Sequence, residues 1–137
     1  MNNFFDLVTQ LQQELKDERF DEGQITLGEL ISKLETLPEG NIVVIDYTQT
    51  SPTCADSYRG YYEELSFEYG DSNTLTVKEF LVICENAVGK TFTGYRGGDF
   101  TMRRYTPVWI ARYGESGKMI TGVSQIESTV VLITSED

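Results

Sequence analysis

Histidine is absent from this 137-residue chain, and cysteine occurs only twice, as Cys54 and Cys84. Without histidine the commonest general base is missing. There is no CxxC and no Cys/His cluster, so zinc-ligand spacing is missing too. Cys84 lies in an apolar run and reads as a buried thiol. Cys54 lies in a polar stretch, and nothing in the spacing requires the two to pair. Bases are scarce: 11 Lys and Arg stand against 22 Asp and Glu, a formal charge of −11. That balance argues against general DNA or RNA binding, which depends on neutralising many phosphates, and against anionic membranes. No stretch approaches the roughly 18 apolar residues of a membrane span. The N-terminus, MNNFFDLVTQLQQELKDERF, has neither a basic n-region nor an apolar h-region and does not read as a signal peptide. A cytoplasmic setting is the expectation. Serines occur without histidine, and no pair of carboxylates stands out. The chain is therefore expected not to be an enzyme, and to need no cofactor and no metal.

The few bases that are present are unevenly placed. Lys90 to Lys118 holds six of them (Lys90, Arg96, Arg103, Arg104, Arg112 and Lys118) with only two acids, Asp99 and Glu115, a formal charge of +4. The rest of the chain holds five bases and twenty acids, a charge of −15. A cationic island on an anionic molecule suits an anion site. The island also contains Phe92, Tyr95, Phe100, Tyr105, Trp109 and Tyr113, and the glycines Gly94, Gly97 and Gly98. Planar rings can stack on a base, guanidinium can pair with phosphate in bidentate fashion, and glycine lets backbone approach a ligand. Thr91 to Asp99 follows a helical stretch and lacks GxxxxGK[ST], so it is not a P-loop. Its glycines serve either positive-φ turns or a nest of amides around an oxyanion, with Thr91, Thr93 and Arg96 beside them. Arg59, between tyrosines in Tyr58-Arg59-Gly60-Tyr61-Tyr62, is either a partner for a nearby carboxylate or a further cation facing the same ligand. If residues 103–104 lie in a strand, Arg103 and Arg104 point to opposite faces. Trp109 reads as core.

Hydrophobic content of 39% in a chain of this length supports one domain with a real core. Residues 3–19 carry Phe4, Leu7, Val8, Leu11 and Leu15 at helical spacing, which predicts an amphipathic helix that packs on the domain or mediates self-association. It is separated as residues 1–24 from a single domain over 25–137. Thr26-x-x-Glu29 and Thr76-x-x-Glu79 are capping boxes that open two more helices. The first ends near Leu37, before Pro38; Gly89 stands at the C′ position of the second. Strands are expected at Ile42–Tyr47, Tyr58–Glu68, Thr106–Tyr113, Met119–Val123 and Thr129–Thr134, with Thr48–Ser57 a polar loop and residues 114–117 a hairpin turn. The order α, α, β, β, α, β, β, β predicts an α+β fold, with helices packed on one face of a mainly antiparallel sheet.

Three segments, SYRGYY at 57–62, TFTGYRGG at 91–98 and TPVW at 106–109, together with the TLGEL helix opening at 26–30, resemble a family of small, mostly uncharacterised tailed-phage proteins. The resemblance covers about residues 26–123 and leaves the N-terminal segment outside it. It implies a phage context and a role against host defence, in which small oligomeric proteins hold cyclic nucleotide or ADP-ribose-like immune signals without cleaving them. The ligand is then a phosphate-bearing nucleotide, and a homo-oligomer is expected. The ligand-binding residues under this expectation are Arg59, Tyr61, Thr91, Phe92, Thr93, Gly94, Tyr95, Arg96, Gly97, Gly98, Arg103, Arg104 and Arg112. The alternative is an acidic interaction protein, a DNA-mimic-like inhibitor, whose anionic exterior blocks a basic host protein.

Overall fold

Both capping boxes form. Thr26 Oγ1 accepts from the Glu29 amide at 3.2 Å while the Glu29 carboxylate accepts from the Thr26 amide at 3.1 Å, opening helix α1, Leu27–Glu35. Thr76 and Glu79 repeat the exchange and open α2, Val77–Ala87. Gly89 follows α2 with φ +81, the left-handed conformation a C′ glycine supplies at least cost. The structure, a computed structural model, describes residues 23–60, 63–70, 72–93, 99–112 and 115–136. The expected helix over 3–19, and with it nearly all of the 1–24 unit, lies outside the described residues.

The expected α+β class is overturned. Among the described residues strand predominates, and the two α-helices are short. The strands are β1 (Ile42–Ile45), β2 (Pro52–Ser57), β3 (Leu65–Tyr69), β4 (Leu75–Thr76), β5 (Thr91–Thr93), β6 (Asp99–Thr101), β7 (Val108–Ile110), β8 (Lys118–Ile126) and β9 (Thr129–Ser135). Seven of them form one sheet in the order β2-β3-β7-β8-β9-β1-β4, and β5 and β6 form a separate hairpin. The large sheet is mixed. β1 runs parallel to β9 and β3 parallel to β7, and the remaining pairs are antiparallel. Hence β1, β3, β7 and β9 all end at one rim of the sheet.

Several boundaries moved for identifiable reasons. The supposed loop at 48–57 contains edge strand β2, which starts on Pro52, the strand position that tolerates a missing N–H. Residues 58–68 are not one strand: a 3-10 turn at Tyr58–Gly60 precedes β3. The expected strand at 106–113 shrinks to three residues. Arg103 and Arg104 precede it in a turn, so they do not alternate across a strand.

α1 and α2 bury Leu27, Leu30, Ile31, Leu34, Val77, Phe80 and Cys84 against Val43, Ile45, Leu65, Phe67, Val108, Ile110, Ile120, Val130 and Leu132. Phe67 and Phe80 meet edge to face, with centroids 5.0 Å apart. Burial pushes the Cys84 thiol up, far from reactivity, and neither cysteine is in a disulfide.

One segment sets how the sheet halves join. β7 and β8 pair only at Trp109–Met119 and Ile110–Lys118. Where Val108 would meet Ile120, the backbone of Ile25 stands between them. The Ile25 amide donates to the Ile120 carbonyl at 2.9 Å, and the Val108 amide donates to the Ile25 carbonyl at 3.3 Å. The Ile25 side chain is 2% exposed and enters the core. Ile25→Ala should therefore cost about 2–5 kcal/mol, the usual range for truncating a buried isoleucine. Urea unfolding measures it, and a loss below about 0.5 kcal/mol would refute the wedge.

Candidate functional site

The wedge places the start of α1 against the turn that carries Arg103 and Arg104. Thr26 bridges to Pro107. The Leu27 amide donates to the Thr106 carbonyl at 2.8 Å, and the Gly28 amide to the Arg104 carbonyl at 2.7 Å. With the Thr26 cap, the first-turn amides of α1 are satisfied by protein groups. The helix N-terminus is therefore spent, and anion attraction at this place falls to the side chains. The turn is closed from within: Thr106 Oγ1 accepts from the Arg103 amide at 2.8 Å, and the Thr106 amide donates to the Arg103 carbonyl at 3.0 Å.

Arg103 and Arg104 are both exposed, and neither makes an ion pair or a side-chain hydrogen bond among the described residues. Tyr105, beside them, is 76% exposed. β6 runs into this turn through buried Met102, whose amide and carbonyl bond to Lys90 and Gly89. Thr91, Phe92 and Thr93 are on β5, paired with Thr101, Phe100 and Asp99. Thr91, Thr93 and Thr101 are exposed, with the Thr91 and Thr101 hydroxyls 2.9 Å apart. The Lys90 ammonium lies 4.9 Å from the Phe92 ring centroid. Two exposed guanidiniums and an exposed tyrosine thus follow directly in the chain on the strand pair that carries exposed Thr91, Thr93 and Thr101.

The other expected site residues divide. Gly94, Tyr95, Arg96, Gly97, Gly98 and Tyr61 lie outside the described residues. Arg59 is in the 3-10 turn at φ +57, at the same end of the sheet as Pro107, whose carbonyl accepts from the Leu65 amide. Its neighbour Tyr58 stacks on Trp109 at 4.1 Å and 12°, and Tyr58 Oη donates to the Ser116 carbonyl. Trp109 is half-buried and donates to Glu64 Oε1 at 2.7 Å. It faces away from the helix-side core that Val108 and Ile110 enter. Three of the segments singled out in the sequence, 26–30, 57–60 and 106–109, therefore meet around the start of β7.

Arg112 lies past the opposite end of β7. Its guanidinium sits 4.4 Å over the Tyr69 ring, and its amide donates to Glu115 Oε2. The same rim holds Lys118, 4.4 Å over Tyr47, and Tyr47 meets Tyr69 edge to face. Sequence spacing gave no sign of this cluster, because its members come from the ends of β1, β3 and β7 and the start of β8. Behind it Asp46, 2% exposed, accepts from the Thr134 hydroxyl at 2.6 Å and the Thr134 amide at 2.8 Å. Desolvation raises the Asp46 pKa above the ordinary carboxylate value, against the lowering effect of those bonds and of Lys118.

A cleft of about 210 Å³ opens between β2 and the end of α2, lined by Thr53, Cys54, Ala55, Ile83, Asn86, Ala87 and Lys90. It falls short of the roughly 300–1,000 Å³ of small-molecule pockets. Desolvation raises the Cys54 thiol pKa, so that group is a poor nucleophile. Among the described residues no group of three or more Asp, Glu, Cys or His is placed to hold a metal, and no helix is long and apolar enough to cross a membrane. No protein-family model, curated protein or solved structure matches the chain.

Two outcomes follow from these contacts. A Cβ on Gly28 would lie 2.9 Å from the Arg104 carbonyl oxygen, a backbone atom that can yield only if the turn moves. Gly28→Ala should cost about 1–3 kcal/mol despite the helix propensity gained, whereas Gly40→Ala, with nothing within 4 Å, should stay within about 0.5 kcal/mol. Equal unfolding midpoints for the two variants would contradict this seat. For Asp46, a folded-state pKa above the unfolded one means its contribution is fullest below the ordinary Asp range and is lost as pH rises through the folded value. The stability of Asp46→Asn relative to wild type should therefore improve from about pH 4 to pH 7. A flat difference in urea unfolding over that range would show that Asp46 is not desolvated.

Proposed function

We propose that this chain binds and sequesters a nucleotide-derived, phosphate-bearing signal of the cyclic nucleotide or ADP-ribose-like class without cleaving it. It acts as a phage protein against host defence, in the host cytoplasm and as a homo-oligomer. The observation that carries the reading is the turn at 103–106. On a molecule of charge −11, two adjacent guanidiniums are exposed and have no carboxylate partner among the described residues. Tyr105, next in the chain, is exposed, as are Thr91, Thr93 and Thr101 of the strand pair that runs into the turn. Guanidinium takes phosphate oxygens bidentately, a tyrosine face takes a base, and hydroxyls take further polar groups. Arg103 and Arg104 neutralise phosphate in this reading, Tyr105 stacks, and Thr91 and Thr93 with the neighbouring segment around Arg96 complete the contact. The resemblance of 57–62, 91–98 and 106–109 to tailed-phage proteins supports the setting.

The charge of −15 outside the island favours one second reading, an acidic inhibitor that occupies the nucleic-acid site of a basic host protein. A thermal-shift panel of cyclic nucleotides and ADP-ribose derivatives separates the two. A true ligand at 100 times its Kd stabilises by about 2.7 kcal/mol. Arg103→Ala and Arg104→Ala should each weaken binding by about 10- to 100-fold, the equivalent of one charge-assisted hydrogen bond. Arg112→Ala should leave it nearly unchanged. Heating the complex should release the ligand chemically intact. Altered ligand would mean an enzyme, and no stabilisation by any member would favour the inhibitor.

A further inference from the structure

β2 and β4 are the outer strands of the seven-stranded sheet, yet their ends are tied together. The Ser51 amide, just before β2, donates to the Asn73 carbonyl at 3.2 Å, and the Leu75 amide of β4 donates to Ser51 Oγ at 2.8 Å. Ser51 Oγ in turn donates to the Val43 carbonyl of β1. Asn73 Nδ2 donates to the carbonyls of Ser51 at 2.7 Å and Pro52 at 3.0 Å, and Asn73 Oδ1 accepts from the Gly70 amide, just past β3, at 3.2 Å. The sheet is thus rolled until its first and last strands meet, and the join is made largely by two side chains instead of a ladder. Ser51 is 0% exposed, so these bonds are shielded from water while the join is closed.

The join holds only the start of β2. Past it the register shifts between Pro52 and Ala55, a bulge that disrupts the ladder to β3 and bends the strand. Among the described residues β2 pairs with β3 alone, and a cleft separates Thr53, Cys54 and Ala55 from Ile83, Asn86 and Ala87 of α2. We propose that Ser51 and Asn73 are a latch on this cleft. Its release lets β2 bend away from α2 at the bulge while β7, β8, β9 and β1 stay paired. The cleft, about 210 Å³ and below the size of small-molecule sites when latched, then widens. Cys84 of α2 is buried in the core against which Ala55 packs, so the same motion brings solvent to its thiol. A strand end held by a few side-chain bonds is a unit that opens locally, at less cost than unfolding the whole chain. No member of the latch belongs to the turn at 103–106, so the device is independent of any ligand there.

Native-state hydrogen exchange and thiol labelling of the full chain, carrying Cys54→Ser, test it. The Ser51 and Leu75 amides should exchange, and Cys84 should react with iodoacetamide, through one shared opening that depends only weakly on urea, because little surface is exposed. Amides of β8 and β9 should exchange only by global unfolding, with a steep urea dependence. Asn73→Ala removes three side-chain hydrogen bonds. It should speed exchange at Leu75 and labelling at Cys84 by at least about 10-fold, with β8 and β9 changed much less. No acceleration in a folded Asn73→Ala chain overturns the proposal. So does a Leu75 amide or a Cys84 thiol that reacts only through global unfolding, because the latch then does not open or opens without moving β2. Should Asn73→Ala not fold, the urea series on the Cys54→Ser chain decides alone.

Discussion

The insertion of Ile25 between β7 and β8 is the contact on which the remaining geometry turns. Backbone amides and carbonyls inside a sheet must find partners, and two strands that diverge leave theirs orphaned. Here one residue from a distant part of the chain accepts from Val108 and donates to Ile120, so the sheet remains continuous through a place where it splits. The same residue fixes the entry of α1. Thr26, Leu27 and Gly28 then have no choice but to face Thr106 and Arg104, and Gly28 is the residue whose lack of Cβ lets that backbone approach to within 2.7 Å. The exposed arginine turn is thus a by-product of sheet closure: its backbone is pinned while its side chains are left in water.

Pinned backbone with free side chains is a favourable arrangement for binding. Ordering a loop on contact costs conformational entropy, and a turn already closed by Thr106 and α1 avoids much of that cost. Electrostatics adds a size limit. Screening at physiological ionic strength confines exposed charges to about 8 Å. A small phosphate ligand at Arg103 and Arg104 would feel chiefly those guanidiniums. A long polyanion would extend beyond them over a surface whose balance is −15 outside the island. On the proposed reading, that charge distribution would favour a compact anion over a long one.

Local chemistry made half of the fold legible and hid the other half. Capping boxes act across three residues, so Thr26–Glu29 and Thr76–Glu79 could be read directly, as could Gly89 and the β8 and β9 strands. Parallel pairing of β1 with β9 joins Ile42 to Thr129, and no short-range signal encodes it. Helical periodicity was visible and strand content was not, because β2 is polar at Thr53 and Cys54, β4 has two residues, and β5, β6 and β7 have three each. That is why a mixed, strand-dominated structure looked like helices on an antiparallel sheet. At the site, the cationic island was evident from composition, but its members were assumed to converge. The chain carries Arg112 across the sheet along β7, about 3.3 Å per residue, away from Arg103 and Arg104.

What separates those arginines in role is the ring each can reach. At the rim where β1, β3, β7 and β9 end, Tyr47 and Tyr69 stand edge to face, and each offers a face to a cation, Lys118 for one and Arg112 for the other. The two rings are partly buried, and Lys118, itself partly buried, acts on the buried carboxyl of Asp46, while Arg112 is exposed. Lys118 also lowers the pKa of Asp46. Lys118 also lies 3.9 Å from the Glu136 carboxylate, so both cations already have protein partners. Tyr105 lies in water beside Arg103 and Arg104, and in water a ring and a guanidinium gain little from each other. Nothing within the described protein competes for those two charges, so an incoming anion need not displace a partner. Cations of one kind, brought by one short segment of sequence, thus become structural at one end of β7 and available at the other.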